Sequence, residues 1–106
     1  MKAAIYCRVA NAEGDITTQE EICQDYCEQS CHEVYRIYTD NGISGMKDNR
    51  PAFDELLRDM RLMKFNSIVV TKLDRLTRSL PFIVTLLNEI KKSGIQLIEV
   101  GHKRAR

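Results

Sequence analysis

Four short runs rich in apolar residues, at 3–9, 34–39, 67–71 and 95–100, alternate with three stretches whose apolar residues recur at helical spacing. Strand, helix, strand, helix, strand, helix, strand is the order this predicts. Strands separated by helices cannot close as hairpins, so they lie parallel in one sheet with right-handed crossovers between them. The expected fold class is α/β: a mainly parallel sheet of four strands, or slightly more, flanked by helices. A chain of 106 residues holds one such domain, at 1–106, and no second core.

Local signals set the boundaries. Residues 3–9 are continuously apolar except for Arg8, as suits a strand buried on both faces. Residues 11–18 are polar with Gly14 among them, which predicts a loop. A helix then starts near Thr17 or Thr18, either of which can cap it, and Glu20 and Glu21 suit its positive end. Ile22, Cys23, Tyr26 and Cys27 are its expected buried stripe. After the second strand, residues 40–49 form a long polar loop with two glycines, a length often functional in a small domain. Pro51 suits the first turn of a second helix carrying Phe53, Leu56, Leu57 and Met60, and Gly94 ends a third helix over 81–92. The chain stops on a basic stretch, 101–106, which predicts that it continues in a longer protein.

Composition excludes more than it selects. Hydrophobic residues make up 43% and charged residues 29%, an ordinary globular balance. Net charge is only +1, so any case for an anionic partner depends on where the arginines lie. No apolar run approaches the roughly 20 residues of a membrane span, and the first residues do not read as a secretion signal. A cytoplasmic location is expected. Cys23, Cys27 and Cys31 recur at the spacing of successive turns on one helix face, where the outer pair is about 12 Å apart in rise. That is too far to share a metal ion, and with His32 the pattern matches no standard zinc spacing. Together with Cys7 they read as small, half-buried structural thiols.

In an open α/β sheet, ligands bind beyond the carboxyl ends of the strands. There the first strand delivers Arg8, the second Asp40, and the third runs into Lys72, Asp74, Arg75 and Arg78; Lys47 and Arg50 lie in the loop between. Guanidinium forks match the oxygens of a phosphodiester and can stabilise charge developing at phosphorus without a metal. No glycine-rich phosphate loop is present. The plainer reading is a solvated helix start, with local ion pairs worth ~0.3–0.5 kcal/mol each. Arg8 favours the site, because an arginine ending an apolar strand needs something specific to hold.

Tyr6-Cys7-Arg8-Val9, Gln19, Asp40-Asn41-Gly42-Ile43-Ser44-Gly45, Asn49-Arg50-Pro51-Ala52-Phe53 and Lys72-Leu73-Asp74-Arg75-Leu76-Thr77-Arg78 together resemble the N-terminal catalytic domain of the serine recombinases, the resolvase/invertase family. The resemblance spans nearly the whole chain, in order. It implies site-specific DNA recombination: a serine hydroxyl attacks the phosphodiester, forms a 5′-phosphoserine link and frees a 3′-hydroxyl. Double-stranded DNA at a specific site is the implied partner. Dimers that pair into synaptic tetramers, nucleoid association, and the absence of any metal or nucleotide cofactor are implied as well. Arg8, Arg75 and Arg78 match the arginines that hold the scissile phosphate, and Arg50 a further basic residue there. Asp74 matches an aspartate that handles a proton or orients the arginines. Gln19, Asp40 and Lys72 take supporting places. The oligomerisation helix and the DNA-binding region are expected to lie outside these residues.

One position departs from the family. Its nucleophile directly follows Arg-Val, and here that residue is Ala10, which has no atom able to attack phosphorus. Along a strand, Cys7 faces away from residues 8 and 10, and Ser44 and Thr17 belong to flanking segments. The resemblance therefore implies a chain that does not cleave DNA as written. Two origins stay open: a deliberate Ser→Ala exchange, or a natural sequence that lost its nucleophile and became a non-catalytic module, binding DNA or pairing with an active partner. Residues 11–15 also lack the Ser/Thr-rich turn usual in the family. An unrelated phosphate-binding or hydrolytic domain would need a nucleophile or metal-ligand cluster at the strand ends, and the sequence offers neither.

Overall fold

A computed structural model describes residues 2–9, 16–41, 50–76 and 80–101. The elements, in chain order, are β1 (Lys2–Val9), α1 (Ile16–Gln29), β2 (Glu33–Asn41), α2 (Pro51–Arg61), β3 (Ser67–Val70), a 3-10 turn (Leu73–Arg75), α3 (Leu80–Lys92) and β4 (Gln96–Glu99). The four strands form one sheet in the order β2-β1-β3-β4, and every neighbouring pair is parallel. The α/β class and the alternation read from sequence are borne out.

Topology decides which helix covers which face. The chain steps from β1 to β2 in one direction, then crosses back to β3 and continues to β4 in the other. Right-handed crossovers place the first helix on one face and the next two on the other. Accordingly, Cys23 and Cys27 of α1 pack on Ala3, Ile5, Cys7 and Val69. Phe53, Leu56 and Met60 of α2, with Leu86 and Ile90 of α3, pack on Ala4, Tyr6, Tyr38, Ile68 and Val70. The two-residue alternation of β1 sorts its side chains between these layers. Being central, β1 is buried from Ala3 to Val9.

The reversal of strand direction leaves a switch point beyond the ends of β1 and β3, where open α/β sheets bind their ligands. Register shapes that end. β1 stays paired with β2 out to Arg8↔Asp40 and Val9↔Asn41, whereas its pairing with β3 ends at Ile5↔Val69. The last residues of β1 thus project past β3 and need another partner on that side.

Several local expectations change. Helix α1 begins at Ile16, so Thr17 and Thr18 stand exposed in its first turn instead of capping it. Its buried residues are Gln19, Ile22, Cys23 and Cys27, with Tyr26 only half-buried. The helix stops at Gln29, and Cys31, at φ 59°, lies in the turn beyond, so the cysteine stripe ends at Cys27. Cys7, Cys23 and Cys27 are fully buried and Cys31 is exposed, instead of all four being half-buried. Gly94, at φ +74°, ends α3 as expected.

Candidate functional site at the switch point

Arg8 reaches the site from the strand interior and is 2% exposed. Its Nε donates to the Arg75 carbonyl at 3.0 Å, tying the end of β1 to the 3-10 turn after β3. The side-chain amide of Gln19 supplies the partner that β3 does not. Its Oε1 accepts the Arg8 N–H at 3.2 Å and its Nε2 donates to the Arg8 carbonyl at 3.1 Å. The turn itself is fixed from both ends. Leu73 N–H donates to a Glu99 carboxylate oxygen at 3.0 Å, and Leu76 is buried in the core.

Asp40 ends up elsewhere than its place at the strand end suggests. Its carboxylate, 2% exposed, accepts the Tyr6 hydroxyl at 2.7 Å and the backbone N–H groups of Ala52 and Phe53 at 3.0 Å each. Those N–H groups belong to the first turn of α2, whose N-cap residue, Arg50, makes no side-chain cap of its own. Arg50 immediately precedes that turn, and its guanidinium lies 4.0 Å above the Phe53 ring. Burial, reinforced by the neighbouring Asp40 carboxylate, holds the Tyr6 phenol far above its ordinary pKa. The charges of Arg50 and Arg8 act on the same phenol in the opposite sense. Arg75 acts likewise on Cys7, on the opposite face of β1.

Two guanidinium N–H groups in this cluster, Nη1 of Arg50 and Nε of Arg75, are buried without a hydrogen-bond partner among the described residues. An unpaired buried donor costs about 1–3 kcal/mol, and more when charged, which an oxyanion seated between the arginines would recover. Lys72 is exposed at the rim. Asp74 lies in the 3-10 turn, but its side chain is outside the described residues, as are Ala10, Ser44, Lys47 and Arg78. The structure therefore brings Arg8, Arg50, Arg75 and Gln19 to one end of the sheet and turns Asp40 towards α2. Sequence reasoning gave no role to Tyr6 or Phe53. The signal for Tyr6 was its position two residues before Arg8, on the same face of the strand.

Cys7 lies on the other face, hydrogen-bonded to Cys23 beneath α1. That contact and burial push its thiol pKa far up, which leaves it no nucleophilic thiolate at neutral pH. Among the described residues no three His, Cys, Asp or Glu side chains come together as a metal site would need. None of their helices is long and apolar enough to cross a membrane.

The fold, a four-stranded parallel sheet with three helices, is that of solved serine recombinase catalytic domains. The crystal structure of the N-terminal catalytic domain of TP901-1 integrase matches with a TM-score of 0.88 and 36% identity, over 94% of this chain and 78% of that one. The chain belongs to the family described as the resolvase N-terminal domain, whose model matches residues 3–104. It is similar to the DNA-invertase BinR of transposon Tn552 from Staphylococcus aureus, 34% identical over 91 residues, or 85% of this chain and 42% of the relative. The serine recombinase gin of Escherichia phage Mu is 37% identical over 65 residues, 61% of this chain and 32% of the relative. The chain thus spans less than half the length of these curated relatives.

Proposed function

We propose that this chain is the catalytic domain of a site-specific DNA recombinase and that its arginines receive the scissile phosphodiester. The observation that carries the reading is that Arg8, Arg50 and Arg75 stand at the same end of the sheet, with two of their buried N–H groups unpartnered among the described residues. Arg8, Arg75 and Arg78 hold the non-bridging phosphate oxygens, and Arg50 adds a further positive charge. Asp74 orients the arginines or moves a proton, Gln19 braces Arg8, and Lys72 contributes charge at the rim.

With serine at position 10, its hydroxyl oxygen bonds to phosphorus and the bond to the 3′-oxygen breaks. The hydroxyl proton is released, and the departing 3′-oxygen takes one up. Rejoining reverses these steps. Ala10 supplies no oxygen, so the chain as written holds the phosphate without cutting. The full protein acts on double-stranded DNA at a specific site, as a dimer that pairs into a synaptic tetramer, in association with the nucleoid. Ala10 equally favours a second reading, a natural non-catalytic module that occupies DNA or pairs with an active partner.

Titrating inorganic phosphate into the 106-residue chain tests the site, with the arginine Nε–Hε NMR signals as readout. The signals of Arg8, Arg50 and Arg75 should shift together, and Arg8→Ala should abolish the response; unmoved signals would remove the phosphate reading. Ala10→Ser in the full-length protein, incubated with the DNA that flanks its own gene, separates the two functional readings. A covalent protein–DNA link supports the recombinase, and binding without a link supports the non-catalytic module.

A further inference from the structure

The Asp40 carboxylate joins the end of β2 to the first turn of α2. It sits at the end of β2, in register with Arg8 on β1, yet its oxygens serve backbone donors that open α2. Pro51 at the start of α2 has no N–H to offer, so the donors of Ala52 and Phe53 are the first that need acceptors. A cap normally comes from the residue just ahead of the helix, but Arg50 occupies that position and its side chain makes no capping bond. Asp40 does this work from a partner strand, twelve residues before Ala52. Tyr6 donates to the same carboxylate oxygen that accepts from Phe53, which sets the carboxylate's rotation.

Arg50 depends on that arrangement twice over. Its backbone carbonyl accepts from Asp54 N–H at 2.9 Å, the first turn of the helix that Asp40 caps. Its guanidinium rests on Phe53, the residue whose N–H Asp40 holds. Arg50 is 4% exposed, and its Nη1 has no partner among the described residues. A buried guanidinium with an unsatisfied donor stays in place only when its surroundings fix it.

We infer that Asp40 is a positioning residue that acts through α2, holding the Arg50–Phe53 stack so that the Arg50 guanidinium faces the phosphate site. This rests on the reading that Arg50 meets a phosphate oxygen. It assigns Asp40 neither a phosphate contact nor a proton to move. Tyr6 shares the role at one remove by orienting the carboxylate.

The test uses Asp40→Asn, which keeps the shape but removes one acceptor and the charge, and it has two readouts. The first needs no ligand. The Arg50 Nε–Hε signal is displaced by the Phe53 ring beneath it, and Asp40→Asn should move it towards the position of a free arginine. The second is phosphate affinity in a double-mutant cycle. Arg50→Ala should weaken inorganic phosphate ~5–10-fold and Asp40→Asn ~3–5-fold, but Asp40→Asn should change affinity less than ~1.5-fold once Arg50 is alanine.

An undisturbed Arg50 signal in Asp40→Asn overturns the inference. So does a loss of affinity that persists undiminished in the Arg50→Ala background, because Asp40 then acts independently of Arg50. If phosphate binds none of the proteins while the Arg50 signal still moves, the positioning relation stands and the phosphate reading falls. Should Asp40→Asn fail to fold, Tyr6→Phe carries both readouts at smaller amplitude. It frees the carboxylate to rotate and leaves both backbone acceptors in place, and an unmoved Arg50 signal in that variant overturns the inference equally.

Discussion

Gln19 stands beside Arg8 where a strand would otherwise be. β3 leaves the sheet before it reaches Arg8, and both main-chain groups of Arg8 are taken by the amide of one side chain from α1. An amide side chain presents a donor and an acceptor at the spacing of a peptide group, so glutamine completes the pairing without adding backbone. The consequence is functional as well as structural: the strand end that aims Arg8 is fixed on both sides, by Asp40's main chain on β2 and by Gln19.

Gln19→Leu keeps the volume and loses both bonds, leaving a buried N–H and a buried carbonyl without the amide. We expect a loss of ~2–4 kcal/mol, at about 1–3 kcal/mol for each unsatisfied group and allowing for partial relaxation. Gln24→Leu, on the exposed side of the same helix, should stay within about 0.5 kcal/mol of the parent. Urea midpoints measure both. Equal midpoints for the two variants would contradict the strand-replacing role.

The thiols give a second check on how α1 packs. Cys7, Cys23 and Cys27 are buried between β1 and α1, and only Cys31 is exposed among the four. A small maleimide should label one thiol per native chain within minutes and four in denaturant. Cys31→Ser should remove the fast reaction entirely. Fast labelling of a second thiol would mean that α1 lies less closely on the sheet than described.

How much of this was legible beforehand follows from what each feature depends on. The strands were legible because a strand buried on both faces must be almost wholly apolar, as residues 3–9 apart from Arg8 and residues 68–70 are. Arg8 stood out by breaking that rule. The partners of Asp40 were not legible, because a charge at a strand end does not reveal which later segment returns to it. The alternation that puts Tyr6 on Arg8's face was visible, but the acceptor for its hydroxyl lies thirty-four residues away on another strand. The cysteine stripe misled at Cys31 because its four-residue spacing runs past the end of α1, where the chain takes a left-handed turn. The threonines misled because either was an adequate cap, while the helix begins at Ile16.

Alkaline pH should weaken the fold. Burial pushes the Cys27 thiol up to about 11 from 9.0, and contact with Cys23 together with burial raises Cys7 further. Burial also holds Tyr6 and Tyr38 above their ordinary values, aided by Asp40 and Asp59. The folded chain therefore keeps protons that the unfolded chain releases. Stability is fully present below the unfolded thiol pKa and falls as pH rises, for Cys27 between 9.0 and about 11. Each such group lowers stability by up to ~1.4 kcal/mol per pH unit in its window. Urea midpoints should be level from about pH 7 to 8 and decline steadily above ~9, where unfolded thiols begin to ionise. A flat profile to pH ~10.5, beyond the unfolded thiol and tyrosine values, would contradict the burial of these groups.

The two helices on the site's own face share a fork at their surface. Arg61 near the end of α2 donates from Nε to Glu89 Oε2 at 2.7 Å and from Nη2 to Oε1 at 3.1 Å, linking α2 to α3. This hydrogen bonding holds the Glu89 carboxyl below its ordinary pKa. The pair's contribution is therefore present above the ordinary carboxylate range and is lost as pH falls through the lowered value. The side chains are 58% and 34% exposed, so solvent screens the attraction and little of that shift survives as stability. A double-mutant cycle with Arg61→Met and Glu89→Gln should give a coupling of ~0.5–1 kcal/mol at low salt and neutral pH, the upper part of the surface range because both bonds of the fork are made. In 1 M salt, where the screening length is about 3 Å, the coupling should shrink by half or more. It should also fade at acid pH as Glu89 protonates. A coupling that is absent at low salt would mean the fork does not persist in solution, and one that ignores both salt and pH would mean that packing, not charge, joins the helices here.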